Sequence, residues 1–552
     1  MSMAAVQALG AELWAWRLDR ALRTSDDIPR VDHPPGWLPR FDAATVADDR
    51  QRADELRQRW DALRGDVAPD ADVAAFVDHR LLGSALARVT WELDHLRNWE
   101  RDAVLLVMQT IGPYFDQLLR PPPFSPELQH GLVTVLAAVP DQVAVARDNL
   151  VRAGVAPLAD AAVRLLADIE TQLPASVAGL AGLVDADVQD ALAGAARDAV
   201  EALVALRGWL ADAGPGMAPI TPVGRDGFLW FLHHVALLPR DPDDLVLAAR
   251  REYERAVVWE TLERNRNRDV PLPPIPATAA DQVADEARLE QQVRDFYAGE
   301  GLLSQPATLR HYLTAPMPPY LAPLAWLGVT DDLTFEGRLD EDGVSYTPDP
   351  SPSLPYFYAA NARDPRLGIV HEGAHYQQLA LAWAHPDPIR RRYYDSVPNE
   401  GIAFYDEELL LQAGLFDDAP RSREVVHNFN RLRALRVDVD VSLATGRATL
   451  AEGTRTFVDL VPMDEETAFG ETVSYTANPG HAMTYLVGKQ EIIAMQAEAI
   501  RRQGDAFSLQ AFHDFVWTNG NVPFALQRLE LLGDRSDVDA LDAVGPWWSD
   551  GA

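Results

Sequence analysis

The sequence predicts a mainly α protein, a two-lobed helical body with a small β-hairpin or sheet near its cleft. Three observations lead there. Across residues 1–255 apolar side chains recur at three- and four-residue spacing, the mark of helices with one buried face. Proline clusters at 34–35, 121–123 and 215–222 punctuate those runs where helices are expected to end. Only residues 333–347 show the alternation of a half-buried strand pair.

The elements follow in order. Residues 1–22 read as an amphipathic helix, and 48–64, 72–97, 126–153, 158–173 and 185–213 as further helices rich in alanine and leucine, both strong helix formers. Residues 224–238 form an apolar patch holding His233 and His234, which read as packed histidines because neighbours on a helix point in different directions. A long helix over 241–264 opens with acidic residues that complement its dipole. The break at 264–278 (RNRNRDVPLPPIPAT) is the expected connection between an N-terminal helical lobe, 1–265, and a second lobe, 266–552. A helix over 279–298 follows. A hairpin is then expected, with strands at 333–339 and 343–347 and a turn at 340–343.

Bulk composition narrows the function. At 552 residues, with 47% hydrophobic and 24% charged residues, the chain is ordinary for a soluble globular protein. A net charge of −34 argues against nucleic acid and anionic membrane partners, which call for a positive footprint. With no cysteine, disulfides, thiolate metal sites and a cysteine nucleophile are excluded. No basic segment precedes the first apolar run and no long uncharged apolar stretch occurs, so a cytoplasmic protein is expected.

Chemistry concentrates in residues 367–378, LGIVHEGAHYQQ. His371 and His375 stand four apart, on one helix face, so both imidazoles can converge on one ion with Glu372 beside it. A catalytic zinc takes three protein ligands and keeps a position for water. The third ligand is expected from Glu400, on a second helix that starts near 398 and stops at Gly414. Either Glu407 or Asp406 is placed to orient a ligating histidine through its other ring nitrogen. Glu372 is the expected base for a zinc-activated water. An oxyanion donor is sought in 471–489, with Tyr485 first, then Tyr475 and His481, while Tyr356 and Tyr358 are candidates for substrate contact. The expected reaction is zinc-dependent hydrolysis of an amide in a short peptide or peptide-like metabolite. The alternatives are a biosynthetic elimination or rearrangement at the same site and a non-catalytic binding protein.

From residue 356 onward the chain resembles the domain of unknown function 885 family. The segments that carry the resemblance are PYFYAANARDPRLGIVHEGAHYQQL, NEGIAFYDEELLLQAG, NPGHAMTYLVGKQEI and GDAFSLQAFHDFVWTNGNVPFALQRLELL, with a fainter likeness at PVGRDGFLWFLHHVALLPRDPDDL. The resemblance implies a mostly helical, metallopeptidase-like fold with His371, His375 and Glu400 as ligands and Glu372 as base. It also implies a role for Tyr485 and sets His513 on the family's Phe-His, a substrate-side position. The uninterrupted HExxH spacing is similar as well to the thimet-oligopeptidase and Taq-carboxypeptidase-like enzymes. In RALRVDVDVSLATG the Arg-x-x-Arg and Asp pattern is present, but Ala444 stands where the family usually has histidine.

Overall fold

A computed structural model describes residues 2–24, 31, 33–67 and 72–545. It is mainly helical with one small sheet, as the patterning predicts. Helix Pro126–Ala153 ends where the sequence says, with Ser125 accepting from the Leu128 N–H and proline at the first helical position. The run expected over 158–173 instead divides into Ala156–Leu165 and Ile169–Gly179. Arg207 donates to the Leu166 and Ala167 carbonyls at the break, meeting the needs that a continuous helix would have met. The expected helices 72–97 and 224–238 both finish in wider π-type turns, at Trp91–Leu96 and Phe231–Val235.

Seven helices matter for the site. They are α1 (Pro242–Arg266), α2 (Ala279–Gly299), α3 (Arg366–Trp383), α4 (Ser396–Ala413), α5 (Pro420–Ala444), α6 (Glu465–Ala477) and α7 (Thr484–Gln503). All but α6 share a core that joins Val246, Tyr297, Val370, Ile402, Val437 and Leu486 with Trp91 and Phe231 from earlier in the chain, while α6 packs through Ala468 and Tyr475 on Leu432, Leu435 and Phe457. A second core fills the helices between Ala103 and Ala213, and a third packs the N-terminal helix against Ile389, Tyr393 and the C-terminal residues Val522–Leu541. The connection at 267–278 is held in place, because Arg421 donates to the Val270 carbonyl and Arg363 to that of Pro273.

The sheet departs from the expected hairpin. Its strands are β1 (Tyr312–Pro316), β2 (Asp331–Asp332) and β3 (Gly343–Thr347), in the order β1-β3-β2. β3 pairs in parallel with β1 and antiparallel with β2. The expected strand at 333–339 is a loop. Arg338 turns back to bind Asp332, and the Thr334 hydroxyl donates to the Arg338 carbonyl. Leu333, Phe335 and Leu339 then pack on Leu379 and Trp383 of α3. Their alternation therefore serves a loop folded over the helix and not a pleated strand.

Candidate metal centre

The centre is assembled where three helices meet α7. On α3, His371 and His375 are one turn apart, ring centroids 4.9 Å apart and nearly perpendicular. Asp395 caps α4 by accepting from the Val397 N–H, and Gly414 ends it with φ of +101°. α4 begins at Ser396, so Glu400 lies in its second turn, beyond the reach of a helix-dipole explanation. α4 and α7 touch backbone to backbone. A Cβ on Gly401 would sit 2.5 Å from Gly488 Cα, and one on Gly488 would meet the Val397 carbonyl oxygen still closer. Two glycines therefore let the strand of backbone carrying Glu400 approach the one carrying Tyr485.

Glu400 Oε2 is 3.3 Å from His375 Nε2 and 3.6 Å from His371 Nε2, and one ligand atom from each residue falls within 4.8 Å of the others. Glu400 is 0% exposed, and both of its oxygens, with His375 Nδ1, lack a hydrogen-bond partner. Buried polar atoms without partners are costly. The arrangement is what a bound cation would satisfy, and the three residues can hold a metal ion. Burial works against the Glu400 charge, yet His375 and His371 outweigh it and hold the carboxyl well below the usual range.

Glu407, two turns further along α4, is the residue that orients His371. Its Oε1 lies 2.8 Å from His371 Nδ1 and 2.9 Å from Arg433 Nη2. Nδ1 thus carries the proton and leaves Nε2 facing Glu400. Arg433 Nη2 also comes within 3.4 Å of Nδ1, but with a proton there both are donors, so that approach is proximity and not a bond. Burial favours neutral His371, but Glu400 and Glu407 overcome it and raise its pKa to about 9. Burial likewise opposes the Glu407 charge, and Arg433 and His371 reverse it, leaving that carboxyl lowered.

Arg433 is ringed by Phe404, Phe429 and Tyr485 at 5.2–5.6 Å. One turn on, Arg436 pairs with Glu471 and lies 4.5 Å from the centre of the Tyr485 ring. A further turn along, Asp440 accepts from the Gly480 and Met483 N–H groups at 2.8 and 3.0 Å, fixing the turn that launches α7. Tyr485 is stacked over His371 with centroids 6.0 Å apart.

The other sequence candidates divide. Glu372 is half-buried, and its charge, with that of Asp331, acts on the hydroxyls of Tyr312 and Tyr358. Tyr312 donates to Asp331 at 2.8 Å. Burial, then Asp331 and Glu372, push its hydroxyl well above the ordinary value. Tyr358 is 36% exposed overall, but its hydroxyl end is shut in beside Thr330, and desolvation raises it too. Asp406 turns away from the histidines to accept from Tyr297 on α2, and burial lifts it to about 8. Tyr356 donates to Asn428, Tyr475 donates to Glu471, and His481 lies in the turn before α7, near Asp440. His513 is engaged at both nitrogens, 2.7 Å from the Leu302 carbonyl and 2.8 Å from the Tyr405 hydroxyl, inside the core. Sequence reasoning missed the pairing of Arg433 with Glu407 and the whole contribution of Tyr312 and Asp331. No local spacing signals either one, because each joins segments far apart in the chain.

Comparison with known proteins gives no match among curated ones. Two solved structures share the fold along nearly the whole chain. One is described as a "putative lipoprotein of unknown function" from Shewanella oneidensis, with TM-score 0.69, 15% identity, and coverage of 96% of this chain and 100% of that one. The other is described as a "putative lipoprotein" from Colwellia psychrerythraea, with TM-score 0.71, 14% identity, and coverage of 98% of each chain. These descriptions, both of lipoproteins, overturn the cytoplasmic expectation, and missing cysteines suit a reducing compartment without requiring one. Among the described residues, no helix is long and apolar enough to cross a membrane. Residues 347–530, the stretch holding β3 Thr347 and all of α3 to α7, match the family model described as "Bacterial protein of unknown function (DUF885)".

Proposed function

We propose that the chain is a zinc-dependent hydrolase that cleaves an amide bond in a short peptide or peptide-like metabolite. One observation carries the reading: a fully buried glutamate with both oxygens unpartnered, facing two imidazole nitrogens at 3.3 and 3.6 Å. Tetrahedral zinc with ligand bonds of about 2.0–2.1 Å separates its ligand atoms by about 3.3 Å, so this donor set fits the ion. His371, His375 and Glu400 would hold it, and zinc so bound supplies Lewis acidity toward a carbonyl and acidifies a water.

The chain's own residues do the rest. Glu372 takes a proton from water as the C–O bond forms, giving a tetrahedral oxyanion, and hands that proton to the leaving nitrogen as the oxyanion collapses and the C–N bond breaks, so an acid and an amine result. General acid–base help of this kind contributes about 10²–10⁴ in rate. Tyr485, stacked on His371, is the donor for the tetrahedral oxyanion. Tyr312 and Tyr358, beside Glu372, face the substrate side.

The test is metal analysis of the purified protein with a comparison of wild type and Glu372→Gln on a library of peptides and metabolites. Stoichiometric zinc and amide cleavage that Glu372→Gln abolishes are expected. Turnover without a hydrolysis product would replace hydrolysis by elimination or rearrangement, and failure to take up zinc after reconstitution would sink the proposal.

A further inference from the structure

A cavity of about 1040 Å³ is lined by Asp331 of β2 and Leu379 of α3, but by none of His371, Glu372, His375, Glu400 or Tyr485. Its walls are chiefly apolar, with Trp14, Leu105, Met108, Trp326, Phe335 and Phe469 contributed by separate parts of the chain. Several charges in the wall are paired, Arg17 with Glu92 at 2.9 Å, Arg23 with Asp116 at 3.0 Å and Arg88 with Asp395 at 3.0 Å. Such walls offer water few partners and ask for no ionic ligand, and the volume is that of a site for a sizeable organic molecule.

Two junctions tie this cavity to the centre. Asp331 of β2 lines it and also accepts from Tyr312, whose hydroxyl feels Glu372. Leu379, one turn past His375 on α3, lines it as well. On another side a small cavity of about 80 Å³ shares Arg88, Glu92 and Asn478 with the large one. It ends on Ser396, Val397 and Thr484, the first turns of the helices that carry Glu400 and Tyr485.

We propose that this cavity receives the apolar part of the substrate, so that the amide presented to Glu372 belongs to a molecule bearing a long aliphatic acyl group. The amide part of this statement rests on the hydrolase reading above; the binding of an acyl chain does not. A flexible apolar chain can follow irregular walls drawn from many separate elements, which a single rigid ring cannot.

The probe is N-dodecanoylglycine, titrated calorimetrically below its micelle concentration into the full chain, zinc-loaded and chelator-treated. Saturable one-to-one binding is expected in both forms. Leu105→Trp, which fills the wall, is expected to weaken it at least tenfold with zinc content unchanged. Phe469→Asp, at a half-buried wall position that tolerates a charge, should do the same if Leu105→Trp does not fold. No saturable binding to wild type, or equal affinity in folded Leu105→Trp and Phe469→Asp, would overturn the proposal. Binding that the variants abolish, without release of dodecanoate and glycine from the zinc-loaded protein, would uphold the cavity assignment and count against the hydrolase reading alone.

Discussion

Replacing Glu407 by glutamine keeps its shape and removes its charge, which makes it a sharp probe of how His371 is held. In the wild type one oxygen lies 2.8 Å from His371 Nδ1 and 2.9 Å from Arg433 Nη2, an ion-pair contact with each. A glutamine side chain turned to accept from His371 presents its NH₂ end toward the other contacts, and turned the other way it sets NH₂ against Nδ1–H. The neutral amide also leaves Arg433, 4% exposed at its side chain, without its carboxylate. A buried donor left unmet costs about 1–3 kcal/mol, and loss of a residue behind a metal ligand typically weakens binding about 10–100-fold. Zinc affinity should therefore fall by about that factor in a competition titration against a chromophoric chelator. Asp406→Asn is the matched control. Asp406 already sits neutral near pH 7, raised to about 8 by burial, and it faces Tyr297, so affinity should stay within about twofold. Unchanged affinity in Glu407→Gln, or an equal loss in Asp406→Asn, would refute the assignment of Glu407 as the orienting group.

Two further perturbations follow from the same geometry. Gly488→Ala drives a methyl into backbone atoms of α4 that cannot step aside, so it should cost about 1–3 kcal/mol in unfolding free energy and reduce zinc retention, whereas Gly470→Ala, at an exposed helical position with nothing within 4 Å, should stabilise by up to about 1 kcal/mol and leave zinc retention unchanged. Equal melting temperatures for the two variants would show that the α4–α7 contact is looser than described. In the metal-free protein His371 keeps its proton up to about 9 against 6.5 when free, so its contribution to stability is complete below pH 6.5 and is lost as the pH rises to about 9. The melting temperature should fall across that window, less steeply in Glu407→Gln, and zinc uptake at pH 7 should release a proton that calorimetry in two buffers of different ionisation enthalpy detects. Heats that do not depend on the buffer would refute the raised value.

What the sequence revealed was whatever depends on spacing along one element. His371 and His375 at i and i+4, Glu400 and Glu407 two turns apart on α4, and the long helix over 126–153 are all of this kind. What stayed hidden depends on contacts between distant segments. Residues 333–339 alternate like a strand, but Arg338 binding Asp332 curls them into a loop. Glu407 and Asp406 are neighbours in the chain and looked interchangeable, until α5 brought Arg433 to one and α2 brought Tyr297 to the other. His513 sits at a family-patterned position yet lies inside the core, because Tyr405 and the Leu302 carbonyl take both its nitrogens.

The charges around the centre explain how so many ionisable groups can be buried together. Glu400 and Glu407 are held ionised, His371 is held protonated, and Arg433 is always charged, so these four groups sum to zero. Each charge faces an opposite one within 3.6 Å, which offsets the large cost of placing it in a region of low dielectric. A divalent cation entering this cluster adds two charges and displaces the His371 proton, for a net gain of one. The protein can therefore fold around a neutral cluster first and exchange a proton for the ion afterwards. That is the reverse of a small zinc domain, whose ligands come together only when the metal joins them.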